Sequence, residues 1–209
     1  IKYDGLDGYG WSFSKDTVLN VGIGCPRNII KKLKSEKKGW SERKYLLDYV
    51  ETLKEQGWFP KDIEVDRKMI SGANIPVGMG MSCTVGDRMM VVGDAGGFVS
   101  PLSGEGLYYA LDSGRLAAES LDVLFSEGNF KKQDLMHYHR AWSSKWGDDL
   151  EWLKVGWHLL MVMPNSLIKY AAVDEETKEF FTHMFVGSMP AAKIKNKVLA
   201  LIAKGVLKH

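Results

Sequence analysis

Residues 91–121, VVGDAGGFVSPLSGEGLYYALDSGRLAAESL, decide how the chain is read. The apolar run Met89 to Val92 predicts a short buried strand, and Gly93-Asp94 breaks it. Gly96, Gly97, Gly104 and Gly106 then put four glycines into eleven residues. Leu107, Ala110, Leu111, Gly114, Ala117, Ala118, Leu121, Leu124 and Phe125 follow at helical spacing, which predicts a long helix starting near Ser103–Gly106. A strand that ends on an acid, a glycine-rich loop and a helix start form a device for holding a polar ligand. In open α/β sheets such ligands sit beyond the carboxyl ends of the strands, where Asp94 falls.

As a carboxylate, Asp94 only accepts hydrogen bonds, so it suits hydroxyl donors such as those of a sugar or ribityl chain. The glycines let a ligand approach backbone N–H groups with no Cβ in the way. The helix start adds unpaired N–H groups and the positive end of its dipole. That favours an anion, or a ring that gathers negative charge, as a reduced flavin does. The dipole contributes roughly 0.3–2 kcal/mol, enough to tune a ligand and too little to bind it. A lone Gly-Asp is more often a plain turn with glycines for close packing. Here Gly93-Asp94-Ala95-Gly96-Gly97, Pro101 and Gly104-Glu105-Gly106 must be explained together.

That long pattern resembles the second FAD-binding motif of the flavoproteins that include aromatic hydroxylases, flavin halogenases and geranylgeranyl reductases. The resemblance implies that Asp94 binds the ribityl chain and that the loop and helix start lie along the isoalloxazine. Its candidate FAD-binding residues are Asp94, Gly96, Gly97, Pro101, Gly104, Glu105 and Gly106.

An upstream segment points to one branch. Tyr9, Trp11 and Phe13 alternate on one strand, Lys15-Asp16 is a polar turn, and Val18 to Gly24 return, so residues 9–24 predict a β-hairpin. Gly8-Tyr9-Gly10-Trp11-Ser12-Phe13-Ser14 resembles the Tyr-x-Trp-x-Phe-Pro segment of the geranylgeranyl reductase family, with Ser14 where the family usually has Pro. Gly97 and Phe98 also stand where the hydroxylases commonly carry a His. The resemblance covers most of residues 8–121. It implies an FAD enzyme that reduces isolated C=C bonds of prenyl chains, with a prenyl-lipid substrate and a reductant such as NAD(P)H or ferredoxin. It makes Tyr9, Trp11 and Phe13 candidates for the substrate wall and Tyr9 and Trp11 candidate catalytic residues; Tyr9 could donate a proton. Packing of a half-buried strand face on a helix explains each aromatic equally well. A flavin monooxygenase or halogenase, and a non-catalytic lipid- or partner-binding remnant, are the alternatives.

The family's N-terminal Gly-x-Gly-x-x-Gly unit has no counterpart here. Gly5-Leu6-Asp7-Gly8-Tyr9-Gly10 and Gly78-Met79-Gly80 fail on spacing and context. With Ile1 in first place, the expectation is a C-terminal fragment that binds FAD weakly or not at all and is inactive alone. The fold class expected is α+β, part of an α/β flavoprotein. Residues 1–85 would belong to a substrate-binding β-sheet domain, 86–127 to the FAD domain's strand, loop and helix, and 128–209 to a helical region.

The rest of the chain narrows the classes. Its 209 residues, 45% hydrophobic and 26% charged, allow a real core. A net charge of +2 gives no case for nucleic acid. Cys25 and Cys83 are too few for a disulfide framework, so a reducing cytoplasm is the default, and both read as inert small residues. Lys31, Lys32, Lys34, Lys37 and Lys38 predict a basic loop. Ser41 and Glu42 open a helix to about Gln56 with Leu46, Leu47, Val50 and Leu53 as its buried stripe. Residues 63–82 predict one or two strands, and everything from Lys131 on predicts helix, broken near Pro164 and Pro190.

Residues 189–209 carry Lys193, Lys195, Lys197, Lys204 and Lys208 with no acid, a pattern that lies on an anionic membrane or packs as a solvated helix; packing is the commoner case. Trp142, Trp146, Trp152 and Trp157 read as core and domain contacts. Phe180, Phe181, Met184 and Phe185 could line a lipid tunnel or simply pack. His137, His139, His158 and His183 lack metal spacing, so no metal is expected.

Overall fold

A computed structural model describes residues 2–3, 6–78, 81–162, 169, 172–185, 195–197 and 199–200. The chain divides into two compact units, residues 1–73 and 74–209.

The first unit contains the expected hairpin. Strands β1 (Lys2–Tyr3) and β2 (Leu6–Asp7) pair, and β3 (Tyr9–Lys15) pairs antiparallel with β4 (Val18–Gly24). Asp16 sits at φ 44° in the turn, a left-handed conformation that Asp tolerates. The register sets Trp11 opposite Gly22 and Tyr9 opposite Gly24. A Cβ on Gly22 would lie 2.0 Å from the Trp11 ring, and one on Gly24 would lie 2.8 Å from the Tyr9 ring. Both aromatics therefore lie across the bare backbone of the partner strand, as rings paired with strand glycines do. The Trp11 indole N–H also donates to Asn20 Oδ1 at 3.0 Å.

Two helices follow, and the first corrects an expectation. Lys31, Lys32 and Lys34 of the lysine-rich stretch lie on α1 (Arg27–Glu36), not in a loop, while Lys37 and Lys38 fall in the turn that follows it. Its lysines occupy a solvated face, while Leu33 is buried beside Tyr45, with Ile29, Ile23 and Trp40 packed against them. Helix α2 (Glu42–Glu55) starts as predicted, Ser41 Oγ accepting from the Lys44 amide at 3.2 Å. Its fully buried residues are Tyr45 and Val50; Leu46, Leu47 and Leu53 are half-buried. The strands expected over residues 63–82 do not form among the described residues, which hold one 3₁₀ turn (Arg67–Met69) in otherwise irregular, largely exposed chain. No described partner strand takes up this segment's backbone groups, so β-like composition alone does not make a sheet.

The second unit starts with β5 (Val85–Gly86) and β6 (Met89–Met90), a two-stranded antiparallel hairpin turned at Asp87-Arg88. The predicted buried strand is therefore shorter and less covered than the apolar run suggested: Met89 and Val92 are exposed. A 3₁₀ turn (Gly93–Gly96) leads to α3 (Leu107–Glu127). Gly128, at φ 71°, ends α3 by returning its N–H to Leu124.

Helix α4 (Lys132–Trp142) is capped by two acids. Asp87 Oδ1 accepts from the Lys132 amide at 2.8 Å and Asp134 Oδ2 from the Lys131 amide at 3.1 Å. A π-turn (Ser143–Gly147) joins α4 to α5 (Asp148–Val162), and α6 (Glu175–Phe185) follows. These helices agree with the expected helical region; its Pro164 and Pro190 breaks fall outside the described residues.

The core of this unit includes Phe98, Leu102, Tyr109, Leu116, Leu135, Tyr138, Trp142, Trp146, Leu150 and Phe180. Helix α3 faces it with Tyr109, Asp112, Ser113, Leu116, Ala117, Ser120 and Leu124. Leu107, Leu111, Ala118 and Phe125, which share the predicted stripe, are exposed. The mixture of helix and strand agrees with an α+β chain, and every described strand pair is antiparallel.

Candidate functional site

The Asp94 turn is anchored from both sides. The Val91 amide donates to Thr84 O at 2.9 Å, continuing the β5–β6 ladder, and the Tyr138 hydroxyl donates to Val91 O at 2.8 Å. Burial pushes the Tyr138 phenol up to about 12, so it remains a donor. The Gly93 amide donates to Ser113 Oγ on α3 at 2.9 Å. Gly93 and Gly97 have φ of 56° and 76°, values that favour glycine, and they bracket the 3₁₀ turn that presents Asp94. The Gly97 amide closes the turn onto Asp94 O at 2.9 Å.

The loop back to α3 is tied by its own backbone. Ser100 N donates to Glu105 O at 2.8 Å, and Gly104 N donates to Ser100 O at 2.9 Å. Glu105 Oε1 accepts from the Tyr108 amide at 2.8 Å, so this acid caps the helix. The amides of Gly106 and Leu107 donate to no described acceptor. A Cβ on Gly106 would lie 2.7 Å from Asp94 Oδ1. The carboxylate and the open start of α3 are thus in contact across a glycine. Asp94 is exposed, and no described donor is hydrogen-bonded to its side chain. The arrangement offers an acceptor for hydroxyls beside donors for an electron-rich edge.

Gly96, Gly97 and Pro101 are buried. A Cβ on Gly96 would lie 2.8 Å from the Phe98 ring. These residues shape the loop from beneath, while Asp94 and Gly106 stand at its surface. Two concavities, of about 740 Å³ beside α2 and about 510 Å³ between Asp87 and the start of α4, do not touch the turn. The turn is an open surface feature of the described residues.

Beneath it lies a cluster that sequence reasoning missed. The Phe98 ring, fully buried, is 4.8 Å from both Trp142 and Trp146. Tyr109 is 5.2 Å from Trp146. The Trp146 indole donates to Asp112 Oδ2 at 2.9 Å, while Lys145 and Arg115 reach Asp112 Oδ1 at 2.8 and 2.9 Å. Burial works to raise the Asp112 carboxyl, but the hydrogen bonds from Lys145, Trp146 and Arg115 outweigh it and hold it below the usual range. The available signal was an acid followed by Ser113 on what becomes the buried face of α3. On the core side, the Trp142 indole donates to Thr84 Oγ1 at 2.8 Å, and Thr84 Oγ1 lies 3.2 Å from His139 Nδ1.

The substrate-side candidates belong to the first unit. Tyr9 and Trp11 are half-buried with ring centroids 5.8 Å apart, and Phe13 is 60% exposed. Burial raises the Tyr9 phenol, which keeps it protonated at neutral pH. The three share a strand face as the alternation predicts.

Comparison with known proteins gives several matches. A digeranylgeranylglycerophospholipid reductase of Methanococcus vannielii is 33% identical over 138 residues, 66% of this chain and 32% of that protein. One from Methanoculleus marisnigri is 37% identical over 147 residues, 69% of this chain and 33% of that protein. The chain is related to the geranylgeranyl reductases. A menaquinone reductase of Mycobacterium tuberculosis is 34% identical over 118 residues, 56% of this chain and 27% of that protein. No family model matches the chain. The chain spans about a third of the length of the curated reductases it matches.

Against this relationship to the reductases, the remaining candidates resolve simply. Trp142 and Trp146 are core, and Trp152 and Trp157 pack against it. Phe180 is core and Phe181 packs beside it; the side chains of Met184 and Phe185 lie outside the described residues. Cys25 and Cys83 are half-buried thiols that donate to Pro26 O and Val85 O. Among the described residues no group of His, Cys, Asp and Glu could hold a metal ion, and no helix is long and apolar enough to cross a membrane. Most of the basic stretch 189–209 lies outside the described residues; Lys197 pairs with Glu176 at 2.9 Å, and Lys195 lies 5.6 Å from the centre of the Trp152 ring.

Proposed function

We propose that the chain forms part of an FAD-dependent oxidoreductase that reduces C=C bonds of prenyl lipid chains. The observation that carries this is the contact between the Asp94 carboxylate and the Gly106 start of α3. It sets a hydroxyl acceptor next to undonated amides, and a Cβ at Gly106 would close that space. The residues fit the flavin half of FAD. Asp94 would accept from ribityl hydroxyls, and the Gly106 and Leu107 amides with the α3 dipole would face the electron-rich ring edge. Bound FAD would supply the hydride that saturates a double bond.

The chain's own residues would bind and orient. Gly93 and Gly97 hold the turn, and Glu105 caps α3 so that Gly106 and Leu107 remain available. Tyr9, Trp11 and Phe13 offer an apolar face to a prenyl chain, and Tyr9 keeps its phenolic proton for donation. The relatives, reductases of a digeranylgeranylglycerophospholipid and of menaquinone, favour this reading over a monooxygenase or halogenase. NAD(P)H or ferredoxin would serve as reductant.

Titrating the chain with FAD while following flavin fluorescence tests the reading. Weak saturable binding that Asp94→Ala abolishes is expected. No saturable binding, or binding indifferent to Asp94→Ala, contradicts it.

A further inference from the structure

We propose that Asp112 is a positioning residue for the Asp94 turn, acting through Trp146 and Phe98. Its importance for a ligand rests on the flavin reading of that turn; its mechanical role does not. Asp112 lies on the second turn of α3, is 8% exposed, and touches neither Asp94 nor Gly106 through any described hydrogen bond. Its two oxygens divide their work. Oδ1 accepts from Lys145 and Arg115, and Oδ2 accepts from the Trp146 indole. That bond fixes the rotation of Trp146, whose ring meets Phe98 edge-on at 4.8 Å. Phe98 in turn fills the space where a Cβ on Gly96 would lie, 2.8 Å from its ring.

The Phe98 amide closes the same turn onto Gly93 O at 3.3 Å. A continuous series of contacts therefore runs from a buried carboxylate to the backbone that presents Asp94. The adjacent residue, Ser113, holds the other end of the turn by accepting from Gly93 N at 2.9 Å. Asp112-Ser113 is thus a two-residue clamp, one member acting directly and one through an aromatic relay.

Asparagine cannot replace Asp112 in this role. Its single oxygen would turn toward the two cations, leaving its NH₂ against the Trp146 N–H, donor against donor. Amide hydrogen exchange of the whole chain, without ligand, tests the proposal on Asp112→Asn, Trp146→Phe and the double variant. The proposal expects the Gly97 and Phe98 amides to exchange about three- to tenfold faster in each single variant. The double variant should be no faster than either single one, since both break one relay. The Leu135 and Gly128 amides, bonded to Lys131 O and Leu124 O, should keep their rates.

Unchanged exchange at Gly97 and Phe98 overturns the proposal. So does equal acceleration at Leu135 and Gly128, which would make Asp112 merely structural, and so does an additive double variant. FMN titration of the unaltered chain is scored separately. If FMN does not bind, the flavin reading falls while the exchange data still judge the relay.

Discussion

Gly106→Ala separates the shape of the turn from the stability of the fold. The backbone at Gly106, φ −125° and ψ −13°, is open to alanine, so the perturbation is the new methyl group alone. That methyl would lie 2.7 Å from Asp94 Oδ1 and 3.3 Å from Val99 Cγ2. An ordinary carbon–oxygen contact is about 3.3 Å, so the carboxylate must retreat by about 0.6 Å or rotate away. Asp94 is exposed and holds no described hydrogen bond through its side chain, so its retreat costs little. Val99 is buried and must give by a few tenths of an ångström. The expected destabilisation is about 1 kcal/mol or less, a drop in Tm of about 2–4 °C at most. Ligand geometry is far less forgiving, and FMN affinity should fall about tenfold, about 1.4 kcal/mol. Thermal melts and FMN titration of the same samples read both numbers. Unchanged FMN affinity would refute the reasoning. A collapse of Tm would refute it too, by showing that Gly106 serves packing and not access to Asp94.

Phe98→Ala should destabilise the second unit by about 3–5 kcal/mol, since a fully buried ring is lost from between two tryptophans; denaturant unfolding followed by tryptophan emission reads this. Gly22→Ala places a methyl group 2.0 Å from the Trp11 ring and should displace that indole, which near-ultraviolet circular dichroism detects, while α3 and its loop keep their amide shifts. Stability should fall with pH in two windows. Burial holds His139 below its ordinary 6.5, so the unfolded chain takes up that proton first and stability is lost as pH drops below about 6.5. Asp112 is also depressed, so its contribution is present above the ordinary carboxylate range and is lost as pH falls through its lower folded value. His139→Gln should remove the first window and leave the second, as urea titrations at stepped pH would show.

Much of the framework was legible because local chemistry and tertiary packing agree there. Alternating Tyr9, Trp11 and Phe13 gave the hairpin, and its register explains Gly22 and Gly24, which a period-two pattern alone leaves unused. Ser41 announced α2, and the glycines before α3 announced the turn. The differences share one cause: local composition does not specify the partner an element packs against. The lysines of α1 looked like a loop because Ile29 and Leu33 find their partner, Tyr45, only on the next helix. Residues 63–82 had the composition of a strand and no strand to pair with among the described residues. On α3 the apolar period is right in part: Ala117 and Leu124 face the core and Leu121 packs against it, while Leu107, Leu111, Ala118 and Phe125 of the same stripe are exposed. Asp112, Ser113 and Ser120 lie on the buried side because each finds hydrogen-bond partners there, a compensation no hydrophobic pattern encodes. The candidate site was legible as a set of residues; its support was not, since Trp146 lies thirty-four positions beyond Asp112.

The most direct test of the flavin assignment is an amide chemical-shift titration of the chain with FMN, FAD and ADP in parallel. Saturable shifts centred on Asp94, Gly97, Gly106 and Leu107 with FMN and FAD, and none there with ADP, are the predicted result. Shifts with ADP alone, or flavin-induced shifts that bypass this turn, would contradict the account.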